Sequence, residues 1–436
     1  MALFDGGLPR PDLTLAEAGR WAREHYGVVG DLRELGSQQD RNVLVSGQRG
    51  RFLLKVSNPA SSLAEVEAQN EAMRVVAAGG LSAPVPLSSL AGQEVVEVGI
   101  GGVPHLVRLL TFVEGRPLID AGRMSPAAVV QLGRLAGQVS RSLAGLEHQG
   151  LDRDFQWDLR RGEEVVRELL DHVQDPLRRS GVGHALAEVS QRIAPLAERL
   201  PQQALHADLT DDNVVAHHDV AGRVVLDGVI DFGDVSTGWR VAELAVACTA
   251  VFHHHPDDPF AVLPLIRAFH DQCPLTDDEV DALWPLVVLR GAVLVVSGEQ
   301  QAAVDATNAY AVSALEREWQ LFSVPSSVDH DLATAAVRAA LGLPARLPAA
   351  LEGAGSILRG GGPPVLADLG ATSRALLDGA WLDDGPAEEA RVLHDAATGS
   401  SRAVTAFAQA RLTRSTTHRR TAPCNVALAV DLQAPG

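Results

Sequence analysis

Two segments, LHADLTDDNVV at residues 205–215 and GVIDFGD at residues 228–234, constrain the fold of this chain more than any other feature. Between them lie two short apolar runs around a turn, a pattern typical of a β-hairpin. Asn213 begins the first strand and Asp231 ends the second, so a tight hairpin brings the two side chains together. Asp208 lies in the loop that leads into the hairpin. The sequence therefore predicts that two carboxylates and one amide converge.

This set of side chains is the kind that phosphoryl transfer requires. Mg²⁺ takes one or two carboxylates and leaves its other positions to phosphates and water. A further carboxylate orients and deprotonates the acceptor hydroxyl. An ordinary acidic turn is the alternative for residues 205–215. The carboxylate of Asp231 at the far end of the hairpin favours a phosphoryl-transfer site instead. Asp211 and Asp212 are expected to be solvated spacers, and Gly228 is a candidate bulge that adjusts the register.

A phosphoryl-transfer site also needs a cation on the phosphates. Lys55, in the strand-like run RFLLKVS, is the candidate for this role. A helix carboxylate usually holds such a lysine. Glu67 and Glu71 lie one turn apart on the next predicted helix, and either is a candidate partner.

The apolar pattern divides the chain into three parts. Residues 28–115 alternate short strand-like runs with turns, with one helix after the third strand. Helical periodicity dominates from Ser125 onward. We therefore expect an α+β fold with a small β-rich N-lobe at 1–112 and a larger helical C-lobe with the hairpin at 113–340. Residues 341–436 begin as a Gly- and Pro-rich linker and continue as an extension of uncertain structure.

Composition excludes several classes of function. The formal net charge is −18, so nucleic acid is not an expected partner. Three widely spaced cysteines exclude a disulfide framework and favour a reducing, cytoplasmic location. The N-terminus lacks the basic and apolar parts of a signal peptide. The most apolar stretch, 283–298, is too short for a membrane span and is predicted to be a buried helix.

The two motifs resemble those of kinase-like phosphotransferases. HADLTDDN fits the pattern H-x-D-x-x-x-x-N, and VIDFGD contains a D-F-G motif. Together they resemble the aminoglycoside phosphotransferase-like family. The hydroxylysine kinase-like branch is favoured by the blocks LGSQQDRNVLV, FLLKVSN, AQNEAMRVVAAGGLSAPVP, VRLLTFVEGRPL and FQWDLRRG. The resemblance covers residues 10–340.

The resemblance implies a bilobal protein-kinase-like fold and an ATP- or GTP-dependent, Mg²⁺-dependent kinase. Asp208 would be the catalytic base, Asn213 and Asp231 the metal ligands, and His206 a structural residue that positions the loop. The nucleotide-binding residues it implies are Lys55, the loop residues Ser37, Gln38, Asp40 and Asn42, and the purine-binding backbone around Leu110 and Phe112. The phosphate loop GSQQDRN departs from the glycine-rich pattern of protein kinases.

The acceptor is expected to be a small amino-bearing alcohol. Hydroxylysine is favoured, with homoserine, ethanolamine-type alcohols and aminoglycosides as alternatives. Asp158 either faces a substrate ammonium or caps a helix. Arg290 either binds a substrate carboxylate or pairs with a buried acid. A nucleotide-binding pseudokinase module of a fusion protein is the alternative from a different functional class.

Two further patterns suggest metal sites. His253–His255 form a histidine run, but consecutive helical residues point in different directions, so a helix end near solvent is expected. The tail NVALAVDLQAPG resembles the start of a lysostaphin-type zinc endopeptidase domain, in which a histidine precedes the aspartate by four residues. Ala427 replaces that histidine before Asp431, so no metal site is expected. The tail is either the truncated start of a further domain or a poorly ordered end.

Overall fold

The computed structural model describes residues 10–37, 39–220, 224–304 and 309–344, and beyond these only short stretches between 365 and 433. The chain divides into two compact units, residues 1–327 and 328–436. The first unit contains the predicted N-lobe and the predicted C-lobe as far as residue 327, and residues 328–340 of that lobe belong to the second unit. The predicted boundary after residue 340 lies beyond this division.

The chain opens with helix α1, Leu15–Tyr26, as its apolar periodicity predicts. Thr14 caps it in a reciprocal arrangement: the Thr14 hydroxyl accepts from the Glu17 amide, and the Glu17 carboxylate accepts from the Thr14 amide. Trp21 and Tyr26 are buried in the core between α1 and the sheet. The Tyr26 hydroxyl donates to the carbonyl of Val107, which ties the helix to the central strands.

An antiparallel sheet forms the β-rich lobe. Its strands are β1 Asp31–Leu35, β2 Arg41–Gly47, β3 Gly50–Val56, β4 Pro86–Leu87, β5 Val96–Ile100 and β6 Val103–Thr111. The order is β1-β2-β3-β6-β4, and β5 also pairs with β6. Helix α2, Leu63–Ala78, lies between β3 and β4 in the chain, so the predicted insertion after the third strand is confirmed.

Helices dominate the second lobe. They are α3 Pro126–Leu143, α4 Gly162–Leu169, α5 Pro176–Ile193, α6 Arg240–His254, α7 Leu263–Gln272, α8 Asp277–Val304 and α9 Ala309–Ser326. By length and composition α8 could cross a membrane, but 89% of its most apolar window is buried within the protein. Helices α4, α5, α6 and α9 pack against it, which confirms the predicted buried helix.

Short strands position the site within the helical lobe. Strand β7, Arg116–Pro117, pairs with the first strand of the hairpin, and β8, Gln202–Leu205, pairs with β11, Ser236–Trp239. The hairpin itself consists of β9, Val214–His218, and β10, Val224–Val229. Its strands are antiparallel, as the sequence predicts.

The register of the hairpin shifts between Leu226 and Gly228, which confirms the predicted bulge. A Cβ atom at Gly228 would lie 2.8 Å from the Cβ of Val215, so no larger residue fits without movement. The amide of Ser82 donates to Asp227 and its carbonyl accepts from Val229, at 2.9 and 2.8 Å. The segment after α2 is thus joined directly to the hairpin.

The second unit contains helix α10, His330–Leu341, which Asp329 caps. Of the remaining extension the structure describes the strands β12 Val365–Ala367, β13 Ala403–Thr405, β14 Gln409–Ala410, β15 Val426–Ala427 and β16 Leu432–Gln433. Asp431 lies outside the described residues. The prediction that the tail holds no metal site therefore stays a prediction.

The close approach at Gly228 gives a first test. Gly228→Ala should lower the free energy of unfolding by about 1–3 kcal/mol, because the added methyl group collides with Val215. Gly99→Ala is the matched control, since no atom lies within 4 Å of a Cβ added to that strand glycine. Chemical denaturation of both variants measures the difference. Equal stabilities would contradict the packing described for the hairpin.

Candidate functional site

The loop after β8 is held by His206. This histidine is fully buried, and burial lowers the pKa of its imidazole to about 4. The neutral ring carries its proton on Nε2, which donates to the carbonyl of Ile230 at 3.1 Å, while Nδ1 accepts from the Asp208 amide at 3.3 Å. The His206 amide donates to the buried carboxylate of Glu243 at 2.7 Å. The loop is thereby fastened both to the end of the hairpin and to α6.

Asp208 and Asn213 are in direct contact. The Nδ2 amide of Asn213 donates to the Asp208 carbonyl at 2.9 Å and to its Oδ2 at 2.7 Å. Both amide hydrogens of Asn213 are therefore used, which leaves its Oδ1 available as an acceptor. Asp208 follows Ala207, whose φ of 66° lies in the left-handed region that residues other than glycine rarely adopt. The loop thus maintains backbone strain immediately before this carboxylate.

Lys55 is buried on β3 and makes two ion pairs. Its Nζ lies 2.9 Å from Oδ1 of Asp231 and 3.1 Å from Oδ2 of Asp40. Burial acts to lower the pKa of Lys55, but the two carboxylates outweigh it and raise that pKa, so the ammonium stays charged. Oδ1 of Asp231 also accepts from the Gly233 amide at 3.3 Å. Lys55 and Asp231, which were both predicted to belong to the phosphoryl-transfer site, thus lie together, in an ion pair that was not predicted.

The predicted partners of Lys55 were wrong. Glu71 pairs instead with Arg74, at 2.7 Å, and Arg74 also contacts Glu94. Glu67 is exposed and lines the same surface groove as these residues. The helix face that carries both glutamates points away from Lys55. Asp40, predicted to lie over the phosphates, takes the place of a helix carboxylate.

A second buried cation, Arg108, explains why α2 offers no carboxylate here. Arg108 is the cross-strand neighbour of Lys55 on β6. Its guanidinium donates to Oε1 of Gln69 at 2.7 Å and to Oδ1 of Asn70 at 2.9 Å. Burial lowers the pKa of Arg108 to about 10, so it is still charged at neutral pH. Gln69 also donates to the carbonyl of Gly233 at 3.2 Å, which connects α2 to the DFG segment.

Sequence reasoning missed the group formed by Arg108, Gln69 and Asn70. The available signal was an arginine within the apolar strand run VRLLTFV, since a buried guanidinium must find polar partners.

The predicted phosphate loop lies next to this group. The Ser37 hydroxyl accepts from the Asp40 amide at 3.2 Å, which stabilises the turn. Asn42 is buried opposite Lys55 on β2, and its Oδ1 accepts no hydrogen bond within the described part of the chain. Gln38 lies outside the described residues. Ser37, Asp40 and Asn42 are thus near Lys55.

The predicted purine-binding backbone is partly engaged in the sheet. The Phe112 amide donates to the Arg51 carbonyl at 3.3 Å, and the Thr111 amide donates to Val85 at 2.9 Å. Leu110 is buried within β6, where it pairs with Leu53. The amides of residues 111 and 112 are therefore not free for a purine.

Asp158 is a cap and not a free anion. Its carboxylate accepts from the Arg160 amide at 2.9 Å and forms a two-pronged ion pair with the guanidinium of Arg160. The side chain is buried. The prediction that Asp158 faces a substrate ammonium was wrong, and the alternative of a helix cap fits its contacts.

Arg290 on α8 reaches the loop that contains Asp208. Its Nη2 donates to Oδ1 of Asp208 at 3.0 Å, and its guanidinium lies over the ring of Trp157 at 5.0 Å. It is only 3% exposed, yet its Nε and Nη1 have no partner among the described residues. Burial, together with Asp234, raises the pKa of Asp208 to about 7 against the opposing effect of Arg290. Arg290 thus pairs with an acid and still has two unused donors.

The revised pairing of Lys55 is testable by stability measurements. Asp40→Asn should lower the free energy of unfolding by about 1.5–3 kcal/mol, because it weakens a hydrogen bond to a buried charge. Glu67→Gln and Glu71→Gln, on exposed or half-exposed side chains, should change it by less than about 1 kcal/mol. Urea denaturation of the three variants compares them. A larger loss for either glutamate variant would restore the original prediction.

Comparison with known proteins now identifies the family. The model of the phosphotransferase enzyme family matches residues 31–283, more than half of the chain. The chain belongs to this family. It is therefore a phosphotransferase, and the resemblance inferred from the paired motifs is confirmed. The matched range includes Lys55, Asp208, Asn213 and Asp231 and ends before Arg290.

The individual relatives share less than 30% of their residues with this chain. The hydroxylysine kinase of Danio rerio is 28% identical over 295 residues, which is 64% of this chain and 82% of that protein. A homoserine kinase of Pseudomonas aeruginosa is 26% identical over 273 residues, or 59% of this chain and 77% of the relative. A microcompartment-associated aminopropanol kinase superposes with a TM-score of 0.58 at 17% identity, covering 75% of this chain and 99% of that one. The last similarity confirms the kinase-like fold.

Proposed function

We propose that this phosphotransferase is a small-molecule kinase that transfers the γ-phosphoryl group of ATP or GTP to a hydroxyl of an amino-bearing metabolite, with hydroxylysine as the favoured acceptor. The observation that carries the proposal is the pairing of Lys55 with Asp231 and of Asp208 with Asn213, two pairs that the hydrogen bond from the Ile230 amide to the Asn213 carbonyl links. Similarity to hydroxylysine and homoserine kinases supports the acceptor class. The free, buried cysteines Cys248 and Cys273 are compatible with a cytoplasmic location.

Asp208 is suited to be the catalytic base. Its carboxylate is oriented by Asn213 on one oxygen and by Arg290 on the other, so its direction in the cleft is defined. In this role it accepts the proton of the acceptor hydroxyl and aligns that oxygen with the phosphorus atom. Lys55, held charged by Asp40 and Asp231, binds phosphate oxygens of the nucleotide.

The free oxygens of the site fit Mg²⁺. Asn213 uses its amide hydrogens on Asp208 and thus presents Oδ1, while both contacts of Asp231 use Oδ1 and leave Oδ2. One amide oxygen and one carboxylate oxygen, with phosphates and water completing the shell, are a normal Mg²⁺ set. When bound, the ion would neutralise charge on the phosphates. Asp208, Lys55 and Gly233 hold these two ligand side chains in place.

The two unused donors of Arg290 favour an acceptor with a carboxylate. The free Nε–H and Nη1–H groups lie on different edges of this buried guanidinium, so each can donate one charge-assisted hydrogen bond to a carboxylate oxygen. Hydroxylysine and homoserine carry that group, whereas ethanolamine-type alcohols do not.

A neighbouring carboxyl group complements this cation. Glu318 on α9 is packed against Gly298 of α8, and its Oε2 is buried without a partner among the described residues. Burial raises the pKa of Glu318 to about 7, against the opposing effects of Arg317 and Arg290. The free N–H groups of Arg290 suit the carboxylate of an amino acid, and the free oxygen of Glu318 suits its ammonium group.

Replacement of the base tests the mechanism. Asp208→Asn should reduce kcat by about 10²–10⁴-fold, because the amide cannot accept the proton of the hydroxyl. Binding of the Mg²⁺–nucleotide, measured by calorimetry, should persist. Asp212→Asn is the matched control, since Asp212 is exposed in the same loop and should leave kcat unchanged. Near-normal turnover by the Asp208 variant would refute the assignment.

Acceptor selectivity tests the role of Arg290. Arg290→Met should lower kcat/KM for hydroxylysine about 30-fold more than for its decarboxylated analogue, because only the former loses a charge-assisted contact. The ratio of the two values separates recognition from any effect on Asp208, which both substrates share. Asp158→Asn, in which Arg160 loses its anionic partner, should leave the ratio unchanged. An unchanged ratio in the Arg290 variant would remove Arg290 from the acceptor site.

A further inference from the structure

Asp211, His253 and His254 form a polar cluster that phosphoryl transfer does not use. Asp211 belongs to the loop between Asp208 and Asn213, and the two histidines end α6. Nδ1 of His253 lies 2.5 Å from Oδ2 of Asp211, and Nε2 of His254 lies 3.1 Å from the same oxygen. The side chains of Asp211 and His254 are 10% and 2% exposed. The expectation that Asp211 is a solvated spacer was therefore wrong.

The histidine run ends α6 as predicted, but only His253 is partly exposed, and His254 and His255 are buried. Consecutive helical side chains do diverge, but His253 approaches Asp211 with the ring nitrogen nearest its backbone and His254 with the distal one. Because His253 uses Nδ1 and His254 uses Nε2, the two side chains contact the same carboxylate oxygen although they leave the helix in different directions. His255 points elsewhere, to the carbonyl of Met124.

The hydrogen bonds of His254 determine where its lone pair lies. Nδ1 is 2.8 Å from the carbonyl of Gly122, which can only accept, so Nδ1 carries a proton. In the neutral ring Nε2 is then unprotonated and directs its lone pair at Oδ2 of Asp211. Two acceptors facing each other repel unless a cation lies between them or a second proton binds. A backbone carbonyl that holds the opposite ring nitrogen is typical of metal-binding histidines.

We propose that Asp211, His253 and His254 bind a divalent transition-metal ion of the Zn²⁺ or Co²⁺ type. Two imidazoles and one carboxylate suit such ions, whereas Mg²⁺ and Ca²⁺ prefer oxygen ligands. The candidate ligand atoms lie within 4.8 Å of one another. Ligands about 2.0–2.2 Å from a tetrahedral ion stand roughly 3.4 Å apart, so the ligand atoms would move by about 1 Å on binding. Water completes the shell, since His253 is 27% exposed.

Such an ion would join the catalytic loop to α6. The backbone carbonyl of Asp211 already accepts from Ile119 at 2.9 Å, and Gln320 of α9 donates to the carbonyls of Phe252 and His253. The ligands thus come from elements that are already anchored. The site is separate from Lys55 and Asp231, and its occupancy does not depend on the proposed kinase activity.

Cobalt titration tests the proposal. Untagged protein is stripped with a chelator and titrated with Co²⁺ in excess Mg²⁺ without nucleotide, so that oxygen-rich sites are filled. Visible d–d absorption should saturate at one Co²⁺ per chain and be displaced by Zn²⁺. His253→Ala should weaken binding by more than about 100-fold, because even the loss of an outer-shell partner costs 10–100-fold. His253 is the first choice because its partial exposure favours a folded variant.

Three further variants make the result decisive. His217→Ala is the matched control, since His217 faces Asp227 at 3.1 Å in an exposed pair and should not affect binding. Asp231→Asn should also retain the signal, which separates this site from the proposed Mg²⁺ site. His254→Gln should abolish it, with circular dichroism confirming the fold of each variant. Absence of saturable binding, or wild-type binding by folded His253 and His254 variants, would overturn the proposal.

Discussion

The buried ammonium group of Lys55 is the constraint on which the rest of the site depends. A charge that is 5% exposed is strongly destabilising unless carboxylates surround it. Asp40 comes from the turn before β2, and Asp231 comes from the end of the hairpin in the other lobe. Burying one lysine therefore fixes the position of the hairpin relative to the sheet. Because Asp208 and Asn213 lead into that hairpin, the same ion pair also places the loop that carries them.

Arg108 adds a second buried positive charge next to Lys55. Two buried cations stand side by side on β3 and β6, and α2 meets the second with neutral amides from Gln69 and Asn70. Asp40 and Asp231 act electrostatically on both Lys55 and Arg108. Since Gln69 also binds the carbonyl of Gly233, α2 is coupled to the DFG segment through an amide and not through an ion pair.

Local geometry was predictable from the sequence, whereas partner choice was not. The hairpin, its bulge at Gly228 and the approach of Asp231 to the catalytic loop follow from turn chemistry and strand register. The partner of Lys55 and the pairing of Asp158 with its neighbour Arg160 depend on which helix face packs inward and on competing charges. The burial of Asp211 likewise depends on where α6 ends. Those are tertiary properties that periodicity does not encode.

Phosphorus NMR of the wild-type protein with Mg²⁺–ATP and hydroxylysine tests the central claim most directly. The account predicts that the γ-phosphate signal is replaced by a phosphate monoester signal in equal amount to the ADP formed, and that the reaction requires the divalent ion. Release of inorganic phosphate without an ester would contradict the claim that Asp208 activates an acceptor hydroxyl. The absence of ATP consumption with hydroxylysine, homoserine and simple amino alcohols alike would contradict the claim that this cluster is a small-molecule kinase site.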